Sequence, residues 1–172
     1  MIAVAVLLSG SAVAVTLGVL GSHVGPVPRQ LPAWGFSAPQ TFKAYLSSSV
    51  LVLLVAQLLT AVWIYRWRAG RWVHRYHRVA GVLTFGASLP VGYYCLYGFG
   101  FHLDTGIPPR IVVHSIAGTA FYGAFAAKML ALRLRNAPVW LVPVLGGLVF
   151  GSFVLAWAAA TLWWFHTVGF AR

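Results

Sequence analysis

The chain has 172 residues, 60% hydrophobic and only 8% charged, with twelve Lys and Arg against the single acid Asp104. A soluble domain carries about a quarter charged residues, so a water-facing surface is excluded and the chain must be dissolved in the lipid bilayer. The net charge of +11 invites a nucleic-acid partner, but the cations gather at the ends of apolar stretches, which excludes nucleic acid and fits a membrane.

Five predominantly apolar stretches approach the ~20 residues that a helical span needs: about 2–21, 46–65, 79–101, 111–132 and 140–165. The sequence therefore predicts a single all-α membrane domain over residues 1–172, a bundle of five transmembrane helices. The first stretch has no Lys or Arg ahead of it and is long for a signal-peptide core, so it reads as a retained helix. An outer loop over 22–45 follows, with Pro26, Pro28, Pro32 and Pro39. Proline fixes φ and disfavours helix, so this loop reads as semi-rigid, with Trp34 and Phe36 against the bundle rim or in the head groups. Between the second and third stretches, Arg66, Arg68, Arg71, Arg75 and Arg78 fill a basic link over 66–78. Pro108–Pro109 and Asn136–Pro138 mark the next two connections, both short, so successive helices are expected to be antiparallel neighbours.

Adding Lys128, Arg133 and Arg135 to the link gives eight cations on one side, against Arg29, Lys43, Arg110 and Arg172 on the other. The positive-inside rule then places the N-terminus in the cytoplasm and the C-terminus outside. Trp63, Trp67, Trp72 and Trp140 on one side and Trp163 and Trp164 on the other read as aromatic belts. Cys95 is the one cysteine, so no internal disulfide forms.

An eleven-residue echo carries the functional reading. HRVAGVLTFGA at 77–87 and HSIAGTAFYGA at 114–124 share His, Ala, Gly, Gly and Ala at identical offsets. On a helix, His77 shares a face with Gly81, and His114 with Gly118, leaving a hollow beside each imidazole. Gly86 and Gly123 point the other way, where a small residue admits a close neighbour. A flat macrocycle suits such a hollow, with imidazole on its iron. His102 ends the third helix and His166 lies near the end of the fifth, both on the outer side with His114. The expected metal pair is therefore His114 with His166, or alternatively His102, holding haem b. His77 has only His74 nearby, three residues along the same helix, which cannot take the opposite face of one haem. The plainer reading is that His23, His74 and His77 are interfacial, that the echo is chance, and that Tyr93–Tyr94 and Trp163–Phe165 are packing residues. Asp104 is expected to pair with Arg110, or else to accept from a ligating His102 or His114.

The segments LGSHVGP, HRVAG, LPVGYYCLYGFGF and HSIAGTAFYGAFAAKML resemble an uncharacterised family of small actinobacterial multi-pass membrane proteins, over most of residues 17–165. That resemblance implies a bacterial plasma-membrane location and a topology, without a mechanism. More loosely, the chain is similar to small transmembrane b-type cytochromes, which would favour His102 with His166; it lacks a histidine inside the second helix, against a two-haem arrangement. Three functions follow as expectations: an electron-transfer subunit with one outer haem, part of a membrane oxidoreductase using a quinol or a redox partner protein; a cofactor-free accessory subunit of a larger complex; or a small transporter. The last is weakest, because no span holds a carboxylate. No Ser–His–Asp order supports hydrolysis.

Overall fold

The computed structural model describes residues 1–24, 31–67 and 69–170. Pro26, Pro28, Arg29, Arg68 and Arg172, all used in the reading above, lie outside the described residues. Five helices are long and apolar enough to cross a membrane: α1 Ile2–Val24, α2 Pro39–Trp67, α3 Arg71–Gly98, α4 Pro109–Arg133 and α5 Leu141–Val168.

Each helix is longer than hydropathy suggested, for local reasons, although α3 stops at Gly98 rather than 101, so that His102 lies in the following loop and does not end the helix as expected. Pro39 starts α2, where a missing N–H costs nothing, so α2 begins seven residues before the expected position 46. The basic link is mostly helix as well. Arg66 lies in the last turn of α2 and α3 begins at Arg71, because straight-chain arginine is a good helix former and the outward faces of these turns are exposed. His77 consequently lies in the second turn of α3 rather than ahead of it.

The order of packing differs from the order of sequence. Helix α1 lies against α4, α4 against α5, α5 against α2, and α2 against α3. The expected neighbours α1 and α2 are thus separated. Small residues explain the choice: Gly10 and Ala14 on α1 meet Gly123 and Ala127 on α4, where a Cβ on Gly123 would stand 2.5 Å from the Gly10 carbonyl oxygen. Backbones approach that closely only across glycine. Next to this crossing, Val6 packs with Ala127, Ala131, Leu141 and Leu145. A second core, Val50, Leu54, Phe121, Val149 and Phe153, joins α2, α4 and α5.

Helices α3 and α4 meet through rings instead of backbones. Phe85 stacks on Phe125 at 4.2 Å, and the Tyr122 hydroxyl donates to the Ser88 carbonyl at 2.7 Å. These bulky spacers keep the two helices apart and leave a gap between them. At the end away from the arginines, the aromatics of the long loop fold back: Phe36 sits 5.7 Å from Phe42 and 5.3 Å from Tyr45, and Tyr94 donates to the Pro32 carbonyl. This selects the rim-packing alternative for Phe36.

Candidate thiol–imidazole cavity

Two helices widen into a π turn near the same end: α3 at Tyr94–Gly98 and α5 at Ala158–Leu162. A π turn takes an extra residue and re-aims the side chains that follow, and such turns recur at functional sites. Between them lies a cavity of about 260 Å³, walled by α2, α3, α4 and α5. Lys43, Cys95, His102, Arg110, His114 and Trp164 line it.

His114 is fixed at both nitrogens. Its Nδ1 lies 2.8 Å from the Ala156 carbonyl oxygen, just before the π turn of α5. A carbonyl only accepts, so Nδ1 carries the proton and donates. Nε2 is then the acceptor, and it faces the Cys95 sulfur at 3.4 Å. The thiol therefore donates to a correctly oriented imidazole. Sequence reasoning passed over Cys95, since a solitary cysteine offers no spacing pattern.

The cavity lining is rich in donors. The Arg110 guanidinium lies 3.4 Å from the centroid of the Trp163 ring, and Lys43 Nζ lies 5.2 Å from that of Phe99. Among the described residues, the buried indole N–H of Trp164 has no acceptor. Asp104 is exposed on its loop, and among the described residues no carboxylate lines the cavity. The expected Asp104–Arg110 pairing gives way to a cation–π contact, which suits a flat guanidinium at a belt tryptophan. Asp104 is not the acceptor for the histidines either; backbone carbonyls fill that role, Ala156 for His114 and Phe99 for His102 at 3.1 Å.

A second pocket of about 70 Å³ lies inward, in the gap between α3 and α4. Cys95 and His114 line both spaces, and Gly118 lines the inner one. The hollow expected beside His114 is therefore present: a Cβ on Gly118 would meet nothing within 4 Å. The hollow expected beside His77 is filled. Gln57 occupies the Gly81 side, 3.2 Å from where its Cβ would stand, and donates to the His77 carbonyl at 2.9 Å, while His77 Nδ1 pairs with the Thr60 hydroxyl at 2.8 Å.

The histidines proposed as ligands separate. His102 and His114 line one cavity; His166 is exposed on the last turn of α5 and does not line it. Among the described residues, no group of three or more His, Cys, Asp or Glu gathers to hold a metal. As placed, the free nitrogen of His114 faces a thiol rather than a second imidazole. His23 and His74 are exposed and bond their own helices, at Val19 and Gly70.

Apolar helices of spanning length around a polar, donor-lined cavity define a small multi-pass membrane protein. The chain belongs to a family of unknown function, DUF6529, whose family model matches residues 2–172. No curated protein and no solved structure matches it.

Proposed function

We propose that this protein is a membrane-embedded binding subunit that holds the anionic head of an amphiphilic molecule in the thiol–imidazole cavity. The observation that carries this reading is the imbalance of the lining: among the described residues, Lys43 and Arg110 line a space with no carboxylate, beside Trp164, whose buried indole N–H has no acceptor there. Donors left without acceptors in a low-dielectric setting are costly, and an anionic oxygen offsets that cost with charge-assisted hydrogen bonds. The arginine asymmetry favours the opposite end as cytoplasmic; on that reading the cavity belongs to the outer leaflet of a bacterial plasma membrane, at the level of its head groups. The test uses purified protein exchanged against vesicles of phosphatidylglycerol or phosphatidylcholine, with bound lipid counted by mass spectrometry. The wild type should retain the anionic lipid preferentially, and the Lys43→Gln/Arg110→Gln variant should lose that preference at least tenfold. Equal retention of both lipids by the wild type refutes the reading.

A second reading keeps haem b, on one observation. The Nδ1 proton of His114 is held by a backbone carbonyl, the arrangement that metal-bound imidazoles use. It supports a single protein ligand at His114 with Gly118 beside it, in an electron-transfer subunit served by a quinol or a redox partner. An absorption spectrum before and after dithionite decides it: a Soret band lost in His114→Ala supports haem, and a colourless protein removes it.

A further inference from the structure

We propose that Cys95 is a nucleophile, activated by His114, that accepts the acyl group of an ester or thioester, so that the cavity is an acyl-transfer site. This rests on the reading that the cavity takes an anionic head, and it adds a reaction at the other end of the same molecule.

Three features carry it. First, nucleophile, base and orienter stand in sequence: the Cys95 sulfur lies 3.4 Å from His114 Nε2, and His114 Nδ1 lies 2.8 Å from the Ala156 carbonyl oxygen. That is the arrangement by which a thiol is activated on many unrelated folds. A cysteine serving only as a small apolar filler needs no tautomer-fixed imidazole. Second, Cys95 lines two different spaces. The outer cavity of about 260 Å³ holds the cations, and the inner pocket of about 70 Å³ is walled by Val91, Leu96, Phe101, Gly118 and Phe153. An amphiphile with its head on Lys43 and Arg110 and a short acyl chain inward places its carbonyl carbon near the sulfur. Third, the donors of the lining suit an oxygen on which negative charge develops, as it does when a carbonyl becomes tetrahedral.

The reaction balances without an oxidant or reductant. The Cys95 proton moves to His114 Nε2 as a bond forms between sulfur and the acyl carbon, and the carbonyl electron pair moves onto oxygen. Collapse of that intermediate breaks the bond to the leaving alkoxide or thiolate, which takes the proton from His114. An acceptor hydroxyl, amine or water then attacks the thioester, gives its proton to His114, and releases Cys95 as thiolate, which recovers that proton.

The experiment uses the full chain in detergent with p-nitrophenyl acetate and p-nitrophenyl butyrate as probes. One acyl group per chain should appear in the intact mass, removable by neutral hydroxylamine, with release of p-nitrophenolate. Cys95→Ser should abolish it, and His114→Gln should slow it by about a hundredfold, the usual size of a lost general base. Gly118→Leu should fill the inner pocket and slow butyryl transfer at least tenfold more than acetyl transfer; if His114→Gln does not fold, this chain-length readout still decides. Acylation elsewhere than Cys95, an unchanged rate in a folded His114→Gln, or an unchanged chain-length ratio in Gly118→Leu overturns the proposal. The probes carry no anionic head. Their failure therefore refutes acyl transfer and leaves head-group binding standing, whereas acylation without anionic-lipid preference does the reverse.

Discussion

The two glycines at matching offsets in the echoed segments, Gly86 and Gly123, should respond in opposite ways to the same added methyl group. A Cβ on Gly123 would lie 2.5 Å from the Gly10 carbonyl oxygen and 2.9 Å from the Ala14 Cβ, against 3.4 Å or more for an ordinary contact. Helix α1 must therefore withdraw by about 0.9 Å on that line, and no flexible side-chain end is there to yield. Overpacking of this kind costs ~1–3 kcal/mol, which is roughly a five- to 150-fold shift in the folded population at 1.4 kcal/mol per decade. A Cβ on Gly86 meets nothing within 4 Å, and alanine improves on glycine within a helix by roughly 0.5–1 kcal/mol. Thermal melting of Gly123→Ala and Gly86→Ala in one detergent separates them. The first should melt lower by several degrees, at roughly 2–4 °C per kcal/mol for a chain of this length, and the second at or above the wild type. If Gly123→Ala melts with Gly86→Ala, the close crossing of α1 and α4 is wrong.

Orientation is tested by labelling: with Cys95 replaced by Ser, a cysteine at Arg71 should be shielded from an impermeant thiol reagent in intact cells and one at Thr105 labelled, and the opposite pattern reverses the topology argued from arginine counts. Tyr122→Phe removes the bond to the Ser88 carbonyl and should lower stability by about 0.5–1 kcal/mol, read by melting; no change means that ring packing alone spaces α3 from α4. Arg110→Gln removes the guanidinium from the Trp163 ring and should lower stability by about 0.5–2 kcal/mol together with a change in tryptophan emission; an unaltered spectrum and melting point argue against that contact.

The five spans were legible because apolar length is a one-dimensional property, and their ends were not, because the head-group zone tolerates helix beyond the apolar run. Arg71 to Arg78 looked like a link only while charge was equated with loop. The pairing of α1 with α4 left a trace that was missed: Gly10 and Ala14, and Gly123 and Ala127, each place small residues four apart, the pattern that lets membrane helices touch. His114 with Gly118 was readable from helical periodicity. Its partners were not. Cys95 and Ala156 reach it from helices distant in sequence, and one of those partners is a backbone atom, which no side-chain pattern reports. Lys43 entered only as a charge to be counted for topology. The echo itself misled at Gly81, because the residue that fills its hollow, Gln57, belongs to another helix.

The widened turn of α5 acts as a rotational vernier on everything after it. An α-helix advances about 100° per residue, so the added residue at 158–162 turns Trp163, Trp164 and His166 by that angle relative to an uninterrupted helix. In the present register Trp163 and Trp164 line the cavity, while His166 is exposed. A regular α-helix of unchanged length through 158–162 would swing this set around the axis and out of the cavity lining, whereas deletion of one of these alanines would leave it in place, because the widened turn already absorbs the extra residue. The widened turn is thus what holds both indoles at the cavity in a helix of this length.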